Sequence, residues 1–250
     1  MKVVTVTNVE KYYGNGGNLT KALDDVSFEI QKQDFCVVMG ASGSGKTTLL
    51  NVISTIDTLS AGDITIHDRC VSQLRERELA DFRKRELGFI FQDFNLLDTL
   101  TLEENIALPL TLLKWPSAKI DARVQEMANI LDIQDVLHQY PYQVSGGQRQ
   151  RCACARAMVH EPSLLLADEP TGALDSHASY QLMEQFQKMN EELQATILMV
   201  THDAFSASYA NRVLFLKDGK IFNEIYRGTR SRKEFFQNIL DCLLYTSRCV

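Results

Sequence analysis

The stretch Gly40-Ala41-Ser42-Gly43-Ser44-Gly45-Lys46-Thr47 fits the pattern G-x-x-x-x-G-K-[ST], and phosphate is the group such a run can hold. Glycine at 40, 43 and 45 lets backbone N–H groups turn inward around phosphate oxygens, where a Cβ would crowd them. The apolar run Phe35–Met39 before the loop predicts a strand buried on both faces, and Thr47–Ile56 after it predicts a helix whose N-terminus adds partial positive charge. Lys46 is then the side chain that reaches β- and γ-phosphates, and the Thr47 hydroxyl the one that sits on Mg²⁺. Ser42, Ser44 and Thr48 complete the candidate nucleotide contacts in this loop. A glycine-rich turn matching by chance would not also carry the flanking strand and helix.

A second element is acidic. Leu164-Leu165-Leu166-Ala167-Asp168-Glu169 reads as a buried strand that ends in two carboxylates, and strand ends of open α/β sheets are where ligands bind. Asp168 suits a magnesium held through its water shell, and Glu169 suits the acceptor that polarises an attacking water. A lone acid at a strand end would be weak evidence. Two acids downstream of a complete phosphate loop are strong evidence for nucleotide hydrolysis.

Val144-Ser145-Gly146-Gly147-Gln148 opens another helix with a serine cap and two glycines, which makes a second anion site. With it the chain resembles the ATPases of ABC (ATP-binding cassette) transporters, from about Val3 to Tyr226. The family's signature is Leu-Ser-Gly-Gly-Gln, and Val144 keeps the first position apolar. The resemblance implies an α/β fold, a P-loop NTPase core with an N-terminal antiparallel β subdomain and an inserted helical subdomain. It also implies a head-to-tail homodimer in which Ser145, Gly146, Gly147 and Gln148 of one subunit close on the ATP held by the other. Further positions match in order. Tyr13 takes the place of the aromatic that stacks on adenine, with Tyr12 beside it as the alternative. Gln92 in Gly88-Phe89-Ile90-Phe91-Gln92 matches the glutamine that touches magnesium and senses the transporter partner. Gly172-Ala173-Leu174-Asp175 matches the loop that usually begins with Ser, and His202 matches the switch histidine on the γ-phosphate.

The implied activity is ATP hydrolysis coupled to a membrane permease, with ATP and Mg²⁺ as ligands. The short stretch after His202 leaves no room for an appended regulatory domain. The single P-loop and the lack of a long heptad segment point to the compact macrolide-export and lipoprotein-release group. Asn18–Leu23, Phe91–Leu97 and Thr229–Leu240 are most similar to ATPases of bacitracin and lantibiotic resistance. A cell-division or lipoprotein-release ATPase with no drug substrate is the alternative, and a nucleotide-binding module without turnover is disfavoured by Glu169 and His202. The segment after Gln92, with Phe94, Leu96 and Leu97, is the expected docking surface for the permease.

These groups need a frame to hold them. Lys2–Val9, Ala22–Ile30 and Ile64–His67 predict strands, and about Leu74–Val159 reads as helical, with amphipathic spacing over Val124–Leu131 and Arg149–Met158. Alternation returns with the helix Ser179–Leu193 and the buried strand Thr196–Val200. Asp218-Gly219 between Arg212–Leu216 and Lys220–Tyr226 predicts a hairpin. The expected organisation is one ATP-binding domain over residues 1–230, with its helical insertion at about 93–158, then a C-terminal helix and tail over 231–250. Lys233–Leu240 is helical in pattern, and Cys242–Val250 breaks it. A net charge of −6 gives no basic field for nucleic acid. No apolar run approaches the roughly 18 residues of a membrane span, and Met1-Lys2-Val3-Val4-Thr5-Val6 alternates like a strand rather than opening a signal peptide. The expectation is a cytoplasmic chain held on the inner face of the membrane through its permease. The cysteines show no metal spacing and read as reduced apolar fillers.

Overall fold

The computed structural model describes residues 1–14, 19–91, 94–172 and 174–247, with side chains up to residue 244. In chain order come β1 (Lys2–Tyr13), β2 (Thr20–Gln31), β3 (Phe35–Met39), α1 (Lys46–Ile53), β4 (Ala61–Ile66) and β5 (Arg69–Cys70). Next come α2 (Glu76–Glu86), β6 (Leu87–Ile90), α3 (Leu102–Leu112), α4 (Ser117–Ile130), α5 (Gly146–Met158), β7 (Leu164–Asp168) and α6 (Ser176–Glu191). Last are β8 (Ile197–Thr201), α7 (Ala204–Ala207), β9 (Arg212–Lys217), β10 (Lys220–Tyr226) and α8 (Arg232–Ser247). They divide into two compact units, Met1–Arg75 with Thr196–Val250, and Glu76–Ala195.

The first unit holds an antiparallel sheet in the order β2-β1-β4-β5 and a mainly parallel one in the order β10-β9-β3-β8. β3 lies parallel to both β8 and β9, and all five of its residues are buried, which is why it reads as an unbroken apolar run rather than an alternating one. α1 covers this sheet with Leu49, Val52 and Ile53. The β9–β10 hairpin turns on Asp218 and Gly219, both at positive φ (49° and 77°), with Lys217 paired to Lys220. That is the geometry for which Asp-Gly is selected.

In the second unit β6 and β7 pair in parallel, and α3, α4 and α6 pack against α5. α3 starts on a capping box between Thr101 and Glu104. The expectation of an all-helical middle third is corrected by β6. Its Gly88 lies so close to α5 that a Cβ there would stand 2.3 Å from the Ala157 carbonyl oxygen. The break expected at Cys242 is also corrected. Phe235 and Ile239 are buried and Cys242 and Leu243 half-buried, a stripe at i, i+4, i+7 and i+8 that carries α8 on to Ser247.

Candidate functional site

In the first unit the chain leaves β3 at Met39 directly into the glycine loop. Three observations fit this loop to phosphate. Gly43 and Gly45 sit at φ 79° and 104°, where L side chains are strained, and a Cβ on Gly40 would meet Leu216 O at 2.3 Å and Ser44 Oγ at 2.5 Å. Gly45 caps α1 without any side-chain bond, and anions bind at helix N-termini of this kind. Ser44 Oγ is buried with no hydrogen-bond partner among the described residues, an orphan that a phosphate oxygen would satisfy. Lys46 is buried and its Nζ donates to the carbonyls of Gly40 (2.9 Å) and Ala41 (3.0 Å), spanning the loop from within. Ser42 and Thr47 are exposed and Thr48 half-exposed.

Met39 is level with Thr201 in the parallel register of β3 and β8. The phosphate loop and His202 therefore leave neighbouring strands at the same end. His202 is exposed on a turn fixed from both sides. Thr201 Oγ1 accepts from Asp203 N (3.0 Å), while the Asp203 carboxylate caps α7 through Phe205 N and Ser206 N. The aromatic pair is also resolved into two settings. Tyr12 bonds Glu10 on its own strand, whereas Tyr13 bonds Asp57, in the segment that follows α1.

In the second unit Asp168 ends β7 and Glu169 follows it, both half-exposed after four buried residues. Glu169 adopts φ 44°, and its carbonyl accepts from Gly172 N (2.9 Å). Ile90 of β6 is level with Ala167. Gln92 lies outside the described residues, as does Ala173.

Ser145 caps α5 as expected. Its Oγ accepts from Gln148 N (3.2 Å), and Gln148 Oε1 accepts from Ser145 N (2.9 Å). Gly146 and Gly147 have ordinary room for a Cβ, with nearest atoms at 3.9 and 3.6 Å. Glycine costs a helix about 1 kcal/mol relative to alanine, and nothing among the described residues explains the pair. A close approach from outside would. Both line a pocket of about 670 Å³ together with Leu174 and Asp175. Asp175 also caps α6 through Ala178 N (2.8 Å).

The expected docking residues are placed differently. Phe94 and Leu96 line this signature pocket, and Leu97 is exposed. The residues after Phe94 form an irregular loop rather than a helix, which begins only at Leu102. A separate apolar groove of about 320 Å³ lies over β6, α3 and α5, lined by Phe89, Phe91, Leu108 and Leu112. Sequence reasoning missed it because β6 was not seen as a strand. It also missed Asn105, a fully buried amide that fixes the loop at both Leu97 N and Leu97 O.

A family model described as ABC transporter matches residues 23–172. The bacitracin export ATP-binding protein BceA of Halalkalibacterium halodurans is 50% identical over 240 residues, covering 96% of this chain and 95% of that protein. The ABC transporter ATP-binding protein YxdL of Bacillus subtilis is 52% identical, covering 96% of this chain and 93% of that protein. Among solved structures, the dimeric post-hydrolysis state of the ATP-binding cassette MJ0796 bound to ADP and Pi is 37% identical with a TM-score of 0.78, covering 89% of this chain and 98% of that one.

Proposed function

The chain belongs to the ABC transporter family, and from that premise we propose that it drives a separate membrane permease which protects a bacterium from cell-wall-directed peptide antibiotics. As an ATPase of this family it binds and hydrolyses ATP. The observation that carries the chemistry is the glycine loop, with its strained backbone and its buried, unpartnered Ser44 hydroxyl. The antibiotic reading rests on likeness to BceA along nearly the whole chain.

The roles we assign follow the family's motifs as they stand in this chain. Backbone N–H groups of Gly43, Ser44, Gly45 and Lys46 cradle phosphate oxygens, and the Lys46 ammonium turns from the Gly40 and Ala41 carbonyls to the β- and γ-phosphates. Thr47, Asp168 and Gln92 would hold Mg²⁺, which when bound neutralises phosphate charge. Glu169 accepts the proton of the attacking water, and His202 donates to the γ-phosphate. Ser145, Gly146, Gly147 and Gln148, with Asp175 beside them, serve the ATP of a second copy, so the working unit is a homodimer. The dimeric state of MJ0796 and the unexplained glycines at 146 and 147 support this. No helix among the described residues is long and apolar enough to cross a membrane, which supports attachment through a permease docked in the groove over β6, α3 and α5.

Deleting the gene together with that of its permease tests this reading. Lowered survival in bacitracin or lantibiotics is expected. Unchanged survival in all of them, with a defect in division or lipoprotein sorting instead, would overturn the antibiotic assignment and leave the ATPase standing.

A further inference from the structure

α7 is four residues long and follows His202 after a single residue, Asp203. A helix this short does not hold itself, so its place depends on what packs against it. Its start is tied to the histidine turn. The Asp203 carboxylate accepts from Phe205 N, Ser206 N and Ser206 Oγ (2.6 Å), while Asp203 N donates to Thr201 Oγ1 at the end of β8. Beyond its other end Tyr209 is buried, and Asn211 N donates to Phe35 O (2.8 Å). A tilt of α7 therefore passes through Asp203 to the backbone of His202.

α8 packs on α7 and meets it through one cation. Phe205 and Tyr209, four residues apart, set their rings edge to face with centroids 5.5 Å apart. The guanidinium of Arg232, in the first turn of α8, lies over both rings. It stands 4.3 Å from the centre of Tyr209 and 5.8 Å from that of Phe205, within the range of cation–π attraction. Phe235 and Ile239, one and two turns further along α8, are fully buried and fix the helix that carries the cation. An apolar side chain at 232 would cover the same rings. A planar cation adds direction, because its attraction weakens as it leaves the ring faces.

We infer, resting on the assignment of His202 to the γ-phosphate, that Arg232 is a positioning residue for hydrolysis. Through Phe205 and Tyr209 it fixes α7, and through Asp203 it fixes the turn that presents His202. α8 thereby governs turnover and leaves nucleotide affinity to the phosphate loop.

The test separates turnover from binding in the purified chain, at a temperature where circular dichroism shows every variant folded. Arg232→Gln keeps the aliphatic stem and loses the cation. It should lower kcat about 3- to 30-fold, the scale of a desolvated cation–π contact, with the Kd for ATP within about twofold of wild type. Arg232→Lys returns a cation and should recover most of kcat. Phe205→Leu removes one ring and should lower kcat in the same direction. Combined with Arg232→Gln, its effect should fall short of the sum, since both changes break one contact. Lys233→Ala, next along α8 and exposed, is the control. Wild-type kcat in both Arg232→Gln and Phe205→Leu overturns the inference. So does a rise in Kd that accounts for the whole loss, or a loss that Arg232→Lys leaves unrepaired. Wild-type turnover in His202→Ala overturns the reading of His202 itself, a result distinct from the others.

Discussion

Tyr13 Oη donates a 2.6 Å hydrogen bond to Oδ2 of Asp57, whose Oδ1 accepts from Lys11 Nζ, also at 2.6 Å, with that ammonium 4.9 Å from the centre of the Tyr13 ring. Burial works against the Asp57 charge, but the Lys11 and Tyr13 bonds hold its carboxyl below the usual range. Asp57 lies just beyond α1, so the ring of Tyr13 is anchored to the segment after the helix that begins at the phosphate loop. Tyr12 is anchored to Glu10 instead, under the ammonium of Lys21.

This anchoring selects between the two tyrosines. A ring stacked on a base is worth about 1–3 kcal/mol, so Tyr13→Ala should raise the Kd for ATP by roughly 5- to 150-fold, with Tyr12→Ala within about twofold of wild type. Asp57→Asn should weaken binding in the same direction by a smaller factor. Titration with a fluorescent ATP analogue measures all three. The reverse order of effects would move the adenine contact to Tyr12.

Lys46→Ala should abolish measurable ATP binding and, with it, turnover. The ammonium is buried and already faces two loop carbonyls, so it is held within reach of phosphates bound in the loop. The same titration checks this, and wild-type affinity in the variant would remove Lys46 from the site.

The phosphate loop, the acidic strand end, the signature cap and the Asp218-Gly219 hairpin were all legible in the sequence, because each depends on neighbours a few residues away. What escaped depends on distant partners. β6 is four residues long and contains Gly88, so it shows neither period nor β-branched enrichment, and its reason for glycine is the backbone of Ala157. Arg156 looks like any helix arginine until its bonds to the carbonyls of Phe94 and Asn95 are seen. Asn105 is equally silent, since the loop it holds has no pattern of its own.

Asn105 is fully buried, accepts from Leu97 N (2.8 Å) and donates to the carbonyls of Leu97 (3.0 Å), Leu100 (3.2 Å) and Thr101 (2.9 Å). Removing it leaves several backbone groups without a partner, so Asn105→Ala should destabilise the protein by about 2–4 kcal/mol. Urea unfolding reads this, and a loss under about 0.5 kcal/mol would show that water replaces the amide freely.

The buried cysteines give a pH dependence. Burial pushes the Cys36 thiol from its ordinary 9.0 up to about 11, and Cys152 and Cys154 up to about 12. In the unfolded chain these thiols ionise first, so between the two values the folded state binds more protons and stability falls as pH rises. The stabilising contribution is complete below about pH 9 and declines from there towards pH 11. Melting temperatures across this range should drop, and less so when Cys36, Cys152 and Cys154 are replaced by Ala or Val. At pH 8, iodoacetamide should label the half-exposed Cys70 and leave these three untouched until the protein unfolds, as peptide mass spectrometry would show. Labelling of Cys152 at the rate of Cys70 would contradict the burial.

Glu169 stands directly after β7 in a left-handed conformation, φ 44°, with its carbonyl held by Gly172 N. Such a backbone costs a non-glycine residue roughly 1–3 kcal/mol, a cost consistent with a side chain whose direction matters more than its local comfort. Glu169→Gln keeps the size and the strain but loses the proton acceptor. ATP binding should persist, and turnover should fall by about 10²- to 10⁴-fold, the usual contribution of a general base. The variant should then elute as an ATP-bound dimer in size-exclusion chromatography, since a sandwich that opens after hydrolysis stays closed without it. Glu169→Gly separates strain from chemistry. It should be as inactive as Glu169→Gln yet melt at an equal or higher temperature than wild type, because glycine adopts this φ freely. Hydrolysis at the wild-type rate in either variant would take Glu169 out of the mechanism and leave its backbone conformation to be explained by the turn alone.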